Sequence, residues 1–184
     1  ADFVLIDKDG AVKRGSEIDY NGAPGGYAAD PTEVVNYVSK HDNQTLWDMI
    51  SYKAAQEADL DTRVRMQAVS LATVMLGQGI AFDQQGSELL RSKSFTRDSY
   101  DSGDWFNRVD YSLQDNNYNV GMPRSSDDGS NYDIIARVKD AVATPGETEL
   151  KQMTAFYQEL TALRKSSPLF TLGDGATVMK RVDF

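Results

Sequence analysis

Hydrophobic residues recur along this chain at two periods, and the alternation between them predicts its elements. FVLIDKDGAVKRG, from Phe3 to Gly15, has two short apolar segments around a D-G pair and reads as a hairpin. DYNGAPGGYAADP, from Asp19 to Pro31, is loop. VVNYVSKHD (Val34 to Asp42) begins apolar and β-branched and turns polar at its end, as a strand buried in a parallel sheet does where it emerges. TLWDMISYKAA then predicts a short helix. Val64, Ala68, Leu71, Ala72, Met75 and Leu76 follow at helical spacing, with a cap near Asp61-Thr62 and a stop at Gly77 and Gly79. IAF (Ile80 to Phe82) is short and apolar enough for a second buried strand.

Thr144, Pro145 and Glu147 form a capping-box pattern ahead of a last long helix. Leu150, Met153, Phe156, Leu160 and Leu163 would be its inner face, and Pro168 its end. LFTLGDGATVMKRVDF reads as two strands around a Gly-Asp-Gly turn. Strand, helix, strand, long loop and helix form a βα series, which predicts a parallel sheet or barrel segment. Two such units cannot close a (β/α)8 barrel of roughly 250 residues, so the pattern predicts a piece of one. Ala1-Asp2-Phe3 reads as interior sequence, and Phe184 falls inside the expected final strand.

Charge narrows the partners. A formal net charge of −9, from 28 acidic and 19 basic residues, makes nucleic acid a poor match. The absence of Cys excludes disulfides and thiolate metal sites. No apolar run reaches bilayer length, and no signal-peptide pattern opens the chain. Asp7 and Asp9 before Gly10 bear a faint likeness to a calcium loop, but Ser16 stands where a closing bidentate Glu is needed, so a turn is the better reading.

The stretch from Arg97 to Asp133 is rich in Asp and Asn and also holds Tyr100, Trp105, Phe106, Tyr111, Tyr118 and Tyr132. So long a loop is either functional or disordered, and its aromatics favour order. Rings beside carboxylates and amides suit a sugar. They equally suit a surface loop pinned to the core, and composition leaves the two readings even.

The chain holds a single histidine, in His41-Asp42-Asn43. On spacing alone His41 is a satisfied side chain at a strand end, and Asp42 a cap for the helix beginning near Thr45. YVSKHDN after a predicted strand, however, resembles the fourth conserved region of the α-amylase superfamily of glycoside hydrolases, on barrel strand seven. The wider NYVSKHDNQTLWD resembles the pullulanases, the starch-debranching members. DYNGAPGGYAADP, GIAFDQQGSELLRSK, SYDSGDWFNRVDY and ELTALRKSSPLF agree with that family in the same order, from about Tyr20 to Phe170. Gly86 and Glu88 match its strand-eight loop. Ala81 replaces the family's Pro, and Ser87 stands where Gln is usual.

The resemblance implies that residues 1–168 are the C-terminal part of the catalytic (β/α)8 barrel, about strands seven and eight with their helices. Residues 169–184 would start a C-terminal β-sandwich domain. It also implies an enzyme that cleaves α-1,6 links in pullulan and branched α-glucans with retention. Retaining glycosidases use a nucleophile and an acid/base carboxylate about 5–5.5 Å apart; in this superfamily a third carboxylate supports the transition state. By resemblance Asp42 is that third carboxylate, and His41 and Asn43 contact sugar beside it. Asp104, Asn107 and Arg108 resemble a D-x-x-N-R pattern that grips the neighbouring sugar, with Trp105 available for stacking. The alternative for Asp104 and Arg108 is a local ion pair.

The family's nucleophile and acid/base stretches have no counterpart in the chain, so by itself it is expected to be inactive. The remainder of the catalytic barrel is the partner this implies. No cofactor is expected within the chain, while the family leaves room for calcium in the intact enzyme. Polymeric substrates imply secretion or cell-surface attachment. The competing readings are an α-1,4-acting amylase or isoamylase relative, or a non-catalytic sugar-binding or structural fragment. YNG combined with NYVSKHDN argues against the first, and the apolar VVNYV against the second.

Overall fold

The computed structural model describes residues 2–182. In chain order it contains strands β1 (Val4–Ile6), β2 (Val12–Arg14), β3 (Asp19–Tyr20), β4 (Ala23–Pro24) and β5 (Val35–Asn36), then helices α1 (Leu46–Lys53) and α2 (Leu60–Met75). Strand β6 (Ile80–Ala81), the single-turn helices α3 (Asp104–Asn107) and α4 (Ser125–Asp128), and helices α5 (Tyr132–Val138), α6 (Glu147–Ser166) and α7 (Gly175–Arg181) complete it. These elements fall into two compact units. One joins the N-terminal segment through Asn36 with Leu76–Phe82 and the C-terminal segment from Leu163; the other comprises Tyr37–Met75 and Asp83–Ala162.

In the first unit the expected hairpin forms, with β1 and β2 antiparallel and Leu5 opposite Lys13. Asp7 organises its turn. One carboxylate oxygen accepts the backbone N–H groups of Asp9 and Ala11, both at 2.9 Å, and the other pairs with Lys13 Nζ at 2.6 Å. Gly10, at φ 81°, supplies the left-handed step that closes the turn. These contacts make Asp7 a turn residue.

The barrel expectation fails. The strands among the described residues are two or three residues long and pair as three separate two-stranded sheets, with no closed barrel. Strands β5 and β6 do run parallel, Val35 opposite Ile80 and Asn36 opposite Ala81. Only two residues of the apolar run pair, and Val35 and Ile80 remain 49% and 50% exposed, so the burial inferred from VVNYV does not occur. The expected start of a β-sandwich fails as well. Asp174 accepts the Thr177 N–H at 3.1 Å and caps α7, with Lys180 and Arg181 in the last turn where cations suit the helix dipole. That cap outweighs the β-branched Thr177-Val178 pair that suggested a strand. The expectation for Phe184 lies outside the described residues.

The second unit is helical and holds every candidate site residue. Helix α1 packs on α2 and α5, and Trp47, Leu71, Ile135, Leu150 and Met153 are fully buried. The ring of Phe95 stacks on Tyr52, centroids 5.9 Å apart, and meets Tyr118 edge-on at 5.0 Å. Arg63 is buried on α2, and its guanidinium donates to the carbonyls of Ile50, Ala55, Gln56 and Ala58. Ile50 O and Ala55 O also accept the Ala54 and Ala58 N–H groups, so one side chain ties together carbonyls at and beyond the end of α1.

Helix α6 starts two residues later than the capping-box pattern suggests. The Glu149 carboxylate, rather than Glu147, reaches back to a backbone N–H, that of Gly146 at 2.8 Å. Leu150, Met153 and Leu160 are buried on α6 as expected, whereas Leu163 is exposed. No helix among the described residues is long and apolar enough to cross a membrane.

Candidate functional site

The His41–Asn43 turn presents its side chains to solvent. His41 is 84% exposed and Asp42 58% exposed in their side chains, and Asn43 takes the left-handed conformation at φ 63°, which asparagine tolerates well. Asp42 does not cap α1. That role belongs to Thr45, whose hydroxyl accepts the Asp48 N–H at 3.2 Å. The Asp42 carboxylate instead pairs with the Lys40 ammonium, and His41 Nε2 lies 3.4 Å from the same oxygen. The Lys40 hydrogen bond is the main force holding the Asp42 carboxyl below the usual carboxylate range, assisted by the charges of His41, Lys40 and Lys93. Asp42 is thus an anion at neutral pH on an open surface.

Behind the turn lies a buried polar cluster that the sequence reading missed. Asp48, in the first turn of α1, is fully buried. Its carboxylate accepts the Ser92 hydroxyl, the Lys93 N–H at 2.9 Å and the Phe95 N–H at 3.3 Å. Burial pushes this carboxyl above its ordinary range, and these hydrogen bonds pull it back. Lys93, itself 1% exposed, sends Nζ to the His41 carbonyl at 3.1 Å. Nothing local in the sequence distinguishes Asp48 from an ordinary first-turn acid, or Lys93 from a surface cation.

The second cluster is α3 and the residue after it. Asp104, Trp105, Asn107 and Arg108 line an open depression of about 410 Å³. His41, Asp42 and Asn43 do not line it. Trp105 is 62% exposed, whereas Phe106 is buried and anchors the turn. Asn107 is engaged within the loop: its amide donates to the Ser99 and Gly103 carbonyls and accepts the Ser99 hydroxyl. Arg108 pairs with Asp115 at 3.1 Å and Asp110 at 3.5 Å, so the local ion pair forms at a residue that also lines the depression. Arg91 supports this turn from behind, donating to the carbonyls of Asn107 at 2.9 Å and Arg108 at 3.3 Å. It also packs against Gly86, where an added Cβ would sit 2.5 Å from its Cδ.

The aromatics of the long polar stretch divide between its two readings. Phe106 and Tyr118 are buried, and the Tyr118 hydroxyl donates to Val138 O at 3.1 Å, while Tyr100, Trp105 and Tyr111 are exposed. The stretch is tied down by buried amides and acids. Asn116 donates to Leu90 O, Asn117 to Trp105 O, and Asp128 accepts from Thr96 Oγ1 and Arg97 N. Among the described residues no group of three or more His, Asp or Glu side chains converges to hold a metal ion.

Residues 113–184 match the family model for the C-terminal region of pullulanase-type alpha-1,6-glucosidases. Over its whole length the chain is 92% identical to a pullulanase of Klebsiella pneumoniae, of which it spans 17%. The chain belongs to the pullulanase family. It is also 40% identical over its whole length to the chloroplastic pullulanase 1 of Arabidopsis thaliana, covering 19% of that protein. The crystal structure of PulA from Klebsiella oxytoca superposes with a TM-score of 0.96 at 92% identity, over all of this chain and 17% of that one. A pullulanase from Anoxybacillus, solved with maltotetraose, superposes over 85% of this chain and 18% of its own at a TM-score of 0.59 and 27% identity. The chain therefore spans about a fifth or less of these relatives' length. The C-terminal description of the family model agrees with the short-strand architecture in leaving the barrel expectation unsupported.

Proposed function

We propose that this chain is part of a retaining glycoside hydrolase that cleaves α-1,6-glucosidic links in pullulan and branched α-glucans. In this reading it supplies a transition-state-stabilising carboxylate and sugar contacts, but neither nucleophile nor acid/base. Identity of 92% to a pullulanase across every residue of the chain supports the reaction class. The residue assignment rests on one observation: Asp42 is a solvent-open carboxylate kept ionised by its neighbours beside an exposed imidazole. Such a group does little for the fold and is free to meet positive charge developing on a sugar ring. His41 and Asn43 contact sugar hydroxyls beside it. Asp104, Trp105 and Arg108 line the open depression and contact the neighbouring sugar, and Asn107 holds that turn in shape. Pullulanase relatives solved with maltotetraose and maltotriose support an α-glucan ligand.

The test is made in the full-length enzyme. Asp42→Asn is expected to lower kcat on pullulan by on the order of 10²–10³ while changing KM much less. Near-normal turnover would remove Asp42 from the mechanism. The isolated chain, incubated with pullulan, is expected to release no reducing ends.

A further inference from the structure

We propose that Lys93 is a positioning residue for Asp42: its buried ammonium, seated on the His41 carbonyl, fixes the turn that aims the Asp42 carboxylate. The inference rests on the reading of Asp42 given above. An ammonium is expensive to bury, and an apolar side chain would fill the same space without that cost. Here the cost is met by a contact that points at the turn. Lys93 Nζ donates to His41 O at 3.1 Å, in the residue immediately before Asp42. Burial pushes the Lys93 ammonium below its ordinary range and Arg91 adds to that, while the Asp48, Asp42 and Asp98 carboxylates oppose it.

The lysine is itself held in place. Its own N–H is bound to Asp48, which also takes the Ser92 hydroxyl and the Phe95 N–H. Asp48 in turn donates its N–H to Thr45, the cap of α1. The path from His41 through Lys93, Asp48 and Thr45 therefore closes on the three residues that separate His41 from Thr45. One of these is Asp42, and the left-handed step at Asn43 completes the turn. A backbone pinned at both ends over so short a span leaves the Asp42 side chain few directions.

The experiment is a mutant cycle in the full-length enzyme, with kcat and KM measured on pullulan for Lys93→Met, Asp42→Asn and the double variant. Lys93→Met is expected to lower kcat roughly 10- to 100-fold with KM changed less than about 3-fold, because geometry is lost in the transition state and not in binding. The double variant is expected to be within about 2-fold of Asp42→Asn alone, since a residue acting through Asp42 has nothing further to lose. Losses that multiply would overturn the proposal and make Lys93 an independent structural residue. If Asp42→Asn cuts turnover while Lys93→Met does not, the proposal falls and the Asp42 reading stands. If Asp42→Asn itself turns over normally, both fall. Should Lys93→Met not fold, Lys93→Gln is read by the same outcomes, with the loss in kcat reduced by its remaining donor.

Discussion

The two turns that carry the candidate residues use their side chains in opposite ways. Around Asp42 the side chains face solvent and the structural work is done from behind, by Thr45, Asp48 and Lys93 acting on the backbone. Around Arg108 the side chains serve the turn itself. Asn107 spends its amide on Ser99 and Gly103, and Arg108 is shared with Asp110 and Asp115. Two segments that look equally functional as motifs thus differ in how much of each is free for a ligand. In the first the acid is available at once; in the second, Asp104 and Trp105 are freer than the residues beside them.

Substitutions can break this contrast at its supports or sharpen it at its surface. The largest effect is expected from Asp48→Ala, which strands the Ser92 hydroxyl and the Lys93 and Phe95 N–H groups. The loss is on the order of 3 kcal/mol or more, read by urea unfolding, because each buried donor left unpaired carries its own penalty. An unchanged midpoint would mean that the cluster is not structural. Asn107→Ala should cost about 1–2 kcal/mol and expose α3 amides to hydrogen exchange. A rise in KM with full protection would instead make Asn107 a sugar ligand.

Arg108→Ala should raise KM several-fold with a stability change of about 0–1 kcal/mol, since its ion pairs are half exposed. An unchanged KM would return Arg108 to a local ion pair. The smallest effect is expected from Lys40→Met. Removing its hydrogen bond should let the Asp42 carboxyl titrate at higher pH, closer to the ordinary range, as followed by its carboxyl carbon shift in NMR. The sign follows from the pairing: Lys40 stabilises the anion, so its loss favours the acid, and Asp42 then loses its charge earlier as pH falls.

The parts of this molecule legible in its sequence are those governed by local rules. The D-G hairpin, α1 and α2 follow from turn chemistry and the helical repeat, and α6 does so with its start displaced to Glu147. The strand readings depended on neighbours. VVNYV is apolar enough to be buried on both faces, yet burial comes from what packs beside a segment, and Val35, paired with Ile80, stays half exposed. At the other end, a single Asp174 cap converts a β-branched stretch into α7.

The site shows the same division. HDN marks the exposed turn, because three adjacent polar residues after an apolar run form a recognisable cluster. Asp48 and Lys93 went unnoticed, because a buried ion has the same one-letter code as a solvated one, and the backbone grip of the half-buried Arg91 leaves no mark in the sequence. The faint signal was Gly86, whose φ of 94° and contact with Arg91 place a tight turn just ahead of both cations.

Arg91 and Lys93 stand two residues apart on one loop, the first holding the backbone of Asn107 and Arg108 and the second that of His41. A designer who wished to graft either turn onto a related scaffold would have to carry the loop along with it. A designer who altered the loop would shift the backbone of both turns together. Residues 86–96 are thus the shared chassis on which the spacing between the two turns is inherited.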